Sequence, residues 1–515
     1  MDTAILKEKP QIVFWLFAGA QVLLWTLVPT LVNPNLPLDV IEGLTWGHEW
    51  QLGYHKHPPI KPWFIEAMAV ISGKGDWAQY LLSQLCVVAA FGAMWRLARD
   101  IMKPPWSLVA VLLMTGIYYH NYTSPEFNVN VAELPFWSLT IVCVWRALKS
   151  GANLPWLLAG LFTGLGFLSK YIFMFLILAL LVMLCSRSSW RAVWRTPGPY
   201  LAAGIALLVV TPHLFWVVDN DFITVAYGID RVGVDRKAVF DHLYYPFKFL
   251  ISQSLILIPC LLMLWALKGP RREPRPARDH SEIRAFLLFV SLGPPVLMAL
   301  LSGIGGWKLR SMWGTPLFLT AGVTLVYFWQ HYLSEARLRR FMTVWLIFFL
   351  LPLVAYGGIG MWGPAFTGRG KRTQFPGQAL ADVVFTKWHA RFAESPAMII
   401  GEFWNAGNIS YHSDARPSVY IDADPKKAPW IDIGRIATQG AIVIGENKAD
   451  AYGLVPAPYT EVLDEGQLTL PYQFSGDVPP VTLWLLFLPP TSPGDPGVIK
   501  GANPAAARKD KGHTS

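Results

Sequence analysis

Apolar runs near the length of a membrane crossing alternate along the chain with short polar or charged segments. The first runs from about Gln11 to Val32, behind Lys7 and Lys9. Further runs lie near 78–95, 106–119, 130–147, 154–168, 172–186, 198–217, 248–267, 285–303, 314–331 and 341–360, eleven with the first. A helix needs about 20 apolar residues to cross a ~30 Å hydrocarbon core, so the pattern predicts spanning helices, the short ones tilted or extended by polar neighbours. No small-x-small cleavage signal follows the first run, which predicts an uncleaved helix.

Basic clusters fall between alternate runs: Arg96, Arg99 and Lys103; Arg146 and Lys149; Arg187, Arg191 and Arg195; Lys268, Arg271, Arg272, Arg275 and Arg278; Arg337, Arg339 and Arg340. With eleven spans all of them share a side with Lys7 and Lys9, which the positive-inside rule makes cytoplasmic. Residues 269–282 then read as a solvated cytoplasmic loop. The opposite side receives 33–77, the turn 119–129, Lys170-Tyr171, 218–247, 304–313 and everything after about residue 361. That C-terminal region changes in composition. Ala397-Met398-Ile399-Ile400, Ser418-Val419-Tyr420-Ile421 and Ala441-Ile442-Val443-Ile444, separated by Gly, Pro and Asp, predict strands of a small α/β domain. The expected organisation is a transmembrane domain at 1–360, an extracytoplasmic α/β domain at 361–490 and a disordered Pro-, Gly-, Ala- and Lys-rich tail at 491–515.

Composition agrees with this. The 515 residues are 53% hydrophobic with 24 Trp and a mean hydropathy of +0.36, too apolar for a soluble enzyme of this length. The net charge of +9 does not point to nucleic acid, because the basic residues sit beside apolar runs, where they set orientation. Cys86, Cys143, Cys185 and Cys260 all fall inside apolar runs, which excludes a loop disulfide and a CxxC metal site.

Chemistry concentrates at residues 38–63, directly after the first run. Asp39 and Glu42, three apart, share one face of a helix. They are followed by His48 and Glu49, then by His55, Lys56, His57 and Lys61, a cluster with the charge to meet a phosphate. A carboxylate beside hydrocarbon costs about 2–4 kcal/mol when unpaired, so both acids should be partnered or face a wet cavity. Asp39 could instead cap a helix opened by Pro37-Leu38. The His48-Glu49 pair lacks the second His of a zinc protease, since position 52 is Leu. His48, His55 and His57 with a carboxylate also admit a divalent metal, though no cofactor is required.

Other polar residues fall on the same side. Lys170, between Leu161–Ser169 and Tyr171-Ile172-Phe173-Met174, sits at the tip of a hairpin, either snorkelling or aimed at a phosphate. Lys308 and Arg310, with Trp313 nearby, are basic residues on the side that should be poor in them, which suits a ligand edge. Glu126, Asn128 and Asn130, with Glu133 a turn further, are placed as polar groups lining a cavity.

These features resemble the polyprenyl-phosphate-dependent membrane glycosyltransferases of the GT-C type, in the branch that contains protein O-mannosyltransferases, the aminoarabinose transferase of lipid A and the galacturonosyltransferases of lipopolysaccharide. The likeness rests on the early acidic motif Asp39 to Glu42, Gly53-Tyr54-His55-Lys56-His57-Pro58-Pro59, the run Gly164-Leu165-Gly166-Phe167-Leu168-Ser169-Lys170-Tyr171, the spans and the C-terminal domain. It implies a GT-C-like fold of about eleven helices in a bacterial inner membrane, N-terminus cytoplasmic and C-terminal domain periplasmic. It maps the acceptor-side acid on Asp39, the His-Pro-Pro stretch on His57, Pro58 and Pro59, and a donor-phosphate lysine on Lys170. Many relatives have adjacent Asp-Glu where this chain has Asp39-Val40-Ile41-Glu42, and an Asp in the second outer loop where it offers Glu126, Asn128 and Asn130.

The expected function is transfer of a sugar from a polyprenyl-phosphate donor to an extracytoplasmic acceptor, a lipid A or core glycolipid, by inverting displacement. Asp39 and Glu42 are the candidate catalytic acids. His55, Lys56, His57, Lys170, Lys308 and Arg310 are candidates for the donor phosphate, and Glu126, Asn128, Tyr54 and Trp313 for acceptor or sugar. A protein acceptor is the main alternative. A transporter predicts paired halves or broken helices, whereas these polar residues collect at one face. A non-catalytic assembly factor leaves the first-loop cluster unexplained.

Overall fold

The computed structural model describes residues 4–233, 238–270, 281–457, 459–473 and 478–490. Arg271, Arg272, Arg275 and Arg278 of the expected cytoplasmic loop, and the expected tail 491–515, lie outside the described residues. The chain divides into two compact units, Met1–Thr367 and Gly368–Ser515.

The first unit is helical: α1 (Pro10–Val32), α2 (Leu38–Gly47), α3 (Ile60–Ser72), α4 (Trp77–Ile101), α5 (Val129–Ser150), α6 (Asn153–Ser169), α7 (Gly198–Asp219), α8 (Ile223–Val232), α9 (Asp241–Ala266), α10 (Ser281–Gly305) and α11 (Leu338–Thr367), with shorter pieces between. Among the described residues seven helices are long and apolar enough to cross a membrane, or nine if two bent pairs, Tyr171–Ser186 with Ser188–Arg195 and Ser311–Phe318 with Ala321–Tyr332, each count as one span. The sequence pattern predicted eleven. Every predicted run is helical, so the difference is one of length. Residues 106–119 yield only Trp106–Gly116, and the 17 residues of α6 reach about 25 Å at 1.5 Å per residue.

Length does not prevent α6 from packing tightly. Its Gly160 and Gly164 face α7, where a Cβ on Gly160 would stand 2.8 Å from Ala202 Cα and one on Gly164 2.8 Å from Val209 Cβ. Two small residues one turn apart bring the helix backbones into contact, which replaces the hydrophobic drive that lipid does not supply.

The segment after α1 folds as α2, a turn and α3. Val40, Ile41 and Leu44 are buried along α2. In the turn, Tyr54 N–H donates to His57 O at 3.0 Å and His57 N–H donates to Tyr54 O at 3.2 Å. Pro58 and Pro59 then set the start of α3.

The second unit contains α12 (Gly377–His389), β1 (Met398–Gly401), α13 (Phe403–His412), β2 (Ser418–Ile421), β3 (Ala441–Gly445), α14 (Lys448–Gly453), β4 (Leu463–Leu470) and β5 (Val481–Leu488). The sheet order is β2-β1-β3-β5-β4. The three strands expected from sequence, β1 to β3, are parallel, and β5 and β4 extend the sheet antiparallel. β1 and β3 are buried along their whole length, as their unbroken apolar runs require of strands covered on both faces. Fold class is therefore mainly α and polytopic, with a small C-terminal α/β unit.

Candidate active site

Asp39 lies in the first turn of α2, where the positive helix end favours a carboxylate. It does not cap the helix: Pro37 occupies that position without a side-chain bond. Glu126 does the work from outside, its Oε1 accepting the Asp39 backbone N–H at 3.2 Å. Glu126 thus reaches the start of the helix that carries Asp39.

One turn on, Glu42 is buried and takes two lysines. Lys56 Nζ donates to Oε1 at 2.6 Å and Lys61 Nζ to Oε2 at 3.1 Å. Lys61, 1% exposed, lies in the first turn of α3. Both ammonium groups also lie over the Trp46 ring, at 5.8 and 5.1 Å.

The two acids are driven apart. Burial raises the Glu42 carboxyl, but Lys61 and Lys56 overcome it and hold the group at about 2. Burial raises Asp39 further than Lys61, Lys56 and Lys170 lower it, and the charge of Glu42 adds to the rise. Among the described residues no lysine or arginine is within ion-pair distance of Asp39. Glu42 is a structural anion and a poor proton acceptor. Asp39 is the carboxyl whose proton affinity is raised.

Lys170 closes the site from another element. It ends α6 in extended conformation, is buried, donates to Asn130 Oδ1 near the start of α5, and lies 5.8 Å from the centre of the Trp313 ring. The snorkelling alternative fails on that burial. Glu133, one turn beyond Asn130, is fully buried, and neither of its carboxyl oxygens has a hydrogen-bond partner among the described residues.

Other sequence candidates are placed differently. His57 cannot serve as a cation at neutral pH, because burial and the neighbouring Lys61 lower it to about 3; the cluster's positive charge comes from Lys56, Lys61 and Lys170. Tyr54, expected to face a sugar, is fully buried, stacked on Trp46 at 5.4 Å, with its hydroxyl accepting the Gln51 N–H at 3.1 Å. Asn128 caps α5, its Oδ1 accepting from Asn130 and Val131. His55 packs edge-on against Trp46. His48 pairs with Glu66 at 3.6 Å, and among the described residues no group of three His, Cys, Asp or Glu could hold a metal ion. Lys308 is exposed, with its backbone N–H bound to Val232 O. Arg310 Nε is buried without a hydrogen-bond partner among the described residues.

Comparison with known proteins bears on this arrangement. Residues 56–216 match the family described as Dolichyl-phosphate-mannose-protein mannosyltransferase. The segment begins at Lys56, so it includes Lys61 and Lys170 and excludes Asp39. The fold superposes on the crystal structure of ArnT from Cupriavidus metallidurans bound to undecaprenyl phosphate with a TM-score of 0.63, 13% identity, and coverage of 94% of this chain and 100% of that one. The chain thus resembles that family in sequence over residues 56–216 and shares the fold of ArnT over nearly its whole length. Its relatives include the lipid A galacturonosyltransferase RgtD of Rhizobium johnstonii, 25% identical over 60% of this chain and 63% of that protein. The lipopolysaccharide core galacturonosyltransferase RgtB of the same organism is 24% identical over 79% of this chain and 83% of its own length. The chain thus aligns with less than two thirds of RgtD and with most of RgtB.

Proposed function

We propose that this chain transfers a sugar from a polyprenyl-phosphate donor to a lipid A or lipopolysaccharide core glycolipid at the extracytoplasmic face of a bacterial inner membrane. The observation that carries the reading is the opposite tuning of Asp39 and Glu42 beside three lysines. Two carboxyls driven apart in this way assign a base and a structural anion. The names of RgtD, RgtB and ArnT support the class of donor and acceptor.

In the proposed step Asp39 takes the proton of an acceptor hydroxyl while that oxygen attacks the anomeric carbon. The new C–O bond forms as the bond to the phosphate oxygen breaks, and the polyprenyl phosphate leaves with the electron pair. Lys170 and the Lys56–Lys61 pair oppose the growing phosphate charge. Attack opposite the leaving group inverts the anomeric centre. Trp313, 5.8 Å from Lys170, is assigned in this reading to pack on sugar or acceptor. The N-terminus is assigned to the cytoplasm and residues 361–490 to the periplasm.

The test is mass spectrometry of lipid A, core and other envelope glycans from cells lacking the protein, complemented by wild type or by Asp39→Asn. Loss of one defined sugar mass, restored by wild type and not by the variant, is expected. In vitro, Asp39→Asn should lower kcat about 100- to 10,000-fold with donor KM nearly unchanged. A glycolipid profile that never changes, with altered glycoproteins, would move the acceptor to protein; unchanged glycans of every kind would overturn the transferase reading.

A further inference from the structure

His213, in the middle of α7, is buried and spends both ring nitrogens on other elements. Nδ1 lies 2.8 Å from Leu52 O, in the first outer loop. Nε2 lies 2.7 Å from the Tyr171 hydroxyl, next to Lys170. That hydroxyl lies 2.9 Å from Thr224 Oγ1 on α8. A carbonyl oxygen can only accept, so Nδ1 carries the proton; in the neutral ring Nε2 then accepts from Tyr171, whose oxygen accepts from Thr224. Every donor in the chain has a direction.

A second contact reinforces the first link. Trp216, one turn beyond His213 and stacked with it at 6.2 Å, lies flat on Gly53, where any Cβ would strike the indole. Leu52 and Gly53 are thereby held on α7 immediately before the turn Tyr54–His57 that carries Lys56. At the other end Tyr227, one turn from Thr224 on α8, meets the His57 ring at 5.9 Å. The same few residues grip the Lys56 turn from one side and the Lys170 turn from the other.

We propose that His213, Tyr171 and Thr224 form a hydrogen-bonded clamp that fixes the spacing of the two lysine-bearing segments, with His213 as a positioning residue for donor-phosphate binding. Lys56 sits in a loop and Lys170 at the end of a short helix. Separate anchors would let them drift, whereas one side chain bonded to both segments holds them in register. The proposal rests on the function proposed above, since it takes a phosphate as the group the lysines share.

Two measurements test it on the full-length protein in detergent. Hydrogen exchange at the amides of residues 51–57 reads the clamp without any ligand. Binding of a polyprenyl monophosphate reads its consequence. Tyr171→Phe removes the hydroxyl's bonds to His213 and Thr224 with little change of shape. His213→Asn keeps a donor near Nδ1 and loses the Tyr171 link, while His213→Gln keeps an acceptor near Nε2 and loses the Leu52 link. Exchange at 51–57 should quicken in His213→Gln and stay near wild type in His213→Asn. Phosphate affinity should fall roughly threefold to tenfold in the two His213 variants, the range for one lost hydrogen bond, and at least as far in Tyr171→Phe. Tyr171→Phe combined with His213→Asn should cost no more than Tyr171→Phe alone, which a general loss of stability would not reproduce. Wild-type exchange in His213→Gln, or wild-type phosphate affinity in Tyr171→Phe and His213→Asn, would overturn the clamp. Wild-type protein that does not bind the phosphate would overturn the underlying function instead, and exchange would still report whether the links exist.

Discussion

Asp39 and Glu42 show how little a residue's identity says about its role. Both are acids on one face of α2, yet Glu42 is held by Lys56 and Lys61 and Asp39 has neither. Replacing Glu42 by Gln leaves two lysines, one of them buried, without their counter-charge. That variant should lose about 3–5 kcal/mol of stability, measured as a fall in Tm, whereas Asp39→Asn should keep or raise its Tm. Linkage sets the pH dependence. Glu42 falls from 4.5 unfolded to about 2 folded, so its contribution is present above pH 4.5 and lost as pH falls towards 2, roughly 3 kcal/mol in all. His57 falls from 6.5 to about 3, so its neutral folded form begins to cost stability below pH 6.5. Asp39 is raised, and its folded form is favoured only at low pH, a cost at neutral pH expected of a group kept for chemistry. Thermal unfolding across pH 3–8 should therefore show Tm falling from about pH 6.5 downward, and less steeply in Glu42→Gln below pH 4.5. Asp39 and Lys170 were legible in the sequence because a charge beside hydrocarbon demands a reason. Tyr54 and Asn128 were not, because only the fold shows that one ring is enclosed by Trp46 and the other amide is spent on a helix end.

At the scale of elements, periodicity and length located the helices well and the spans less well. The run 154–168 was expected to cross with tilt or polar extension; α6 has 17 residues and is held by close packing on α7. The contact depends on Gly160 and Gly164, so Gly164→Val should displace Val209, separate the two helices and lower Tm in detergent. The cost should be about 1–3 kcal/mol, the usual one for overpacking. Gly204→Val, on the same α7 but with open space around it, should change Tm much less. Because α6 ends in Lys170, the first variant should also weaken phosphate binding and the second should not. Lys61 stood in the cationic cluster of the sequence, and the elements add its partner: Glu42 and Lys61 are 19 positions apart, and only the hairpin of α2 on α3 brings them together. In the second unit, strands β1 to β3 were visible as unbroken apolar runs. β4 and β5 were not expected, since β4 alternates weakly and is half exposed.

For the molecule as a whole, the change of composition near residue 361 coincides with the passage from one compact unit to the next at Thr367–Gly368. Arg369 is exposed just beyond it. Limited trypsin treatment of the detergent-solubilised protein should cut there early and release a fragment starting at Gly370 that keeps its sheet signal by circular dichroism; cleavage spread evenly along the chain would contradict two separate cores. The sequence alone determined what depends on counting along the chain: that apolar runs cross a membrane, that a small α/β unit follows, and that Asp39 and Lys170 are misplaced charges in need of partners. Tertiary structure decided what depends on which distant residues meet. It gave Glu42 to two lysines and left Asp39 without one, took the charge from His57, enclosed Tyr54, and used His213 to tie the Lys56 turn to the Lys170 turn. The physical reason is that transfer from water is a property of a residue and its neighbours in sequence, whereas burial, charge pairing and proton affinity are set by groups that the chain brings together only after it folds.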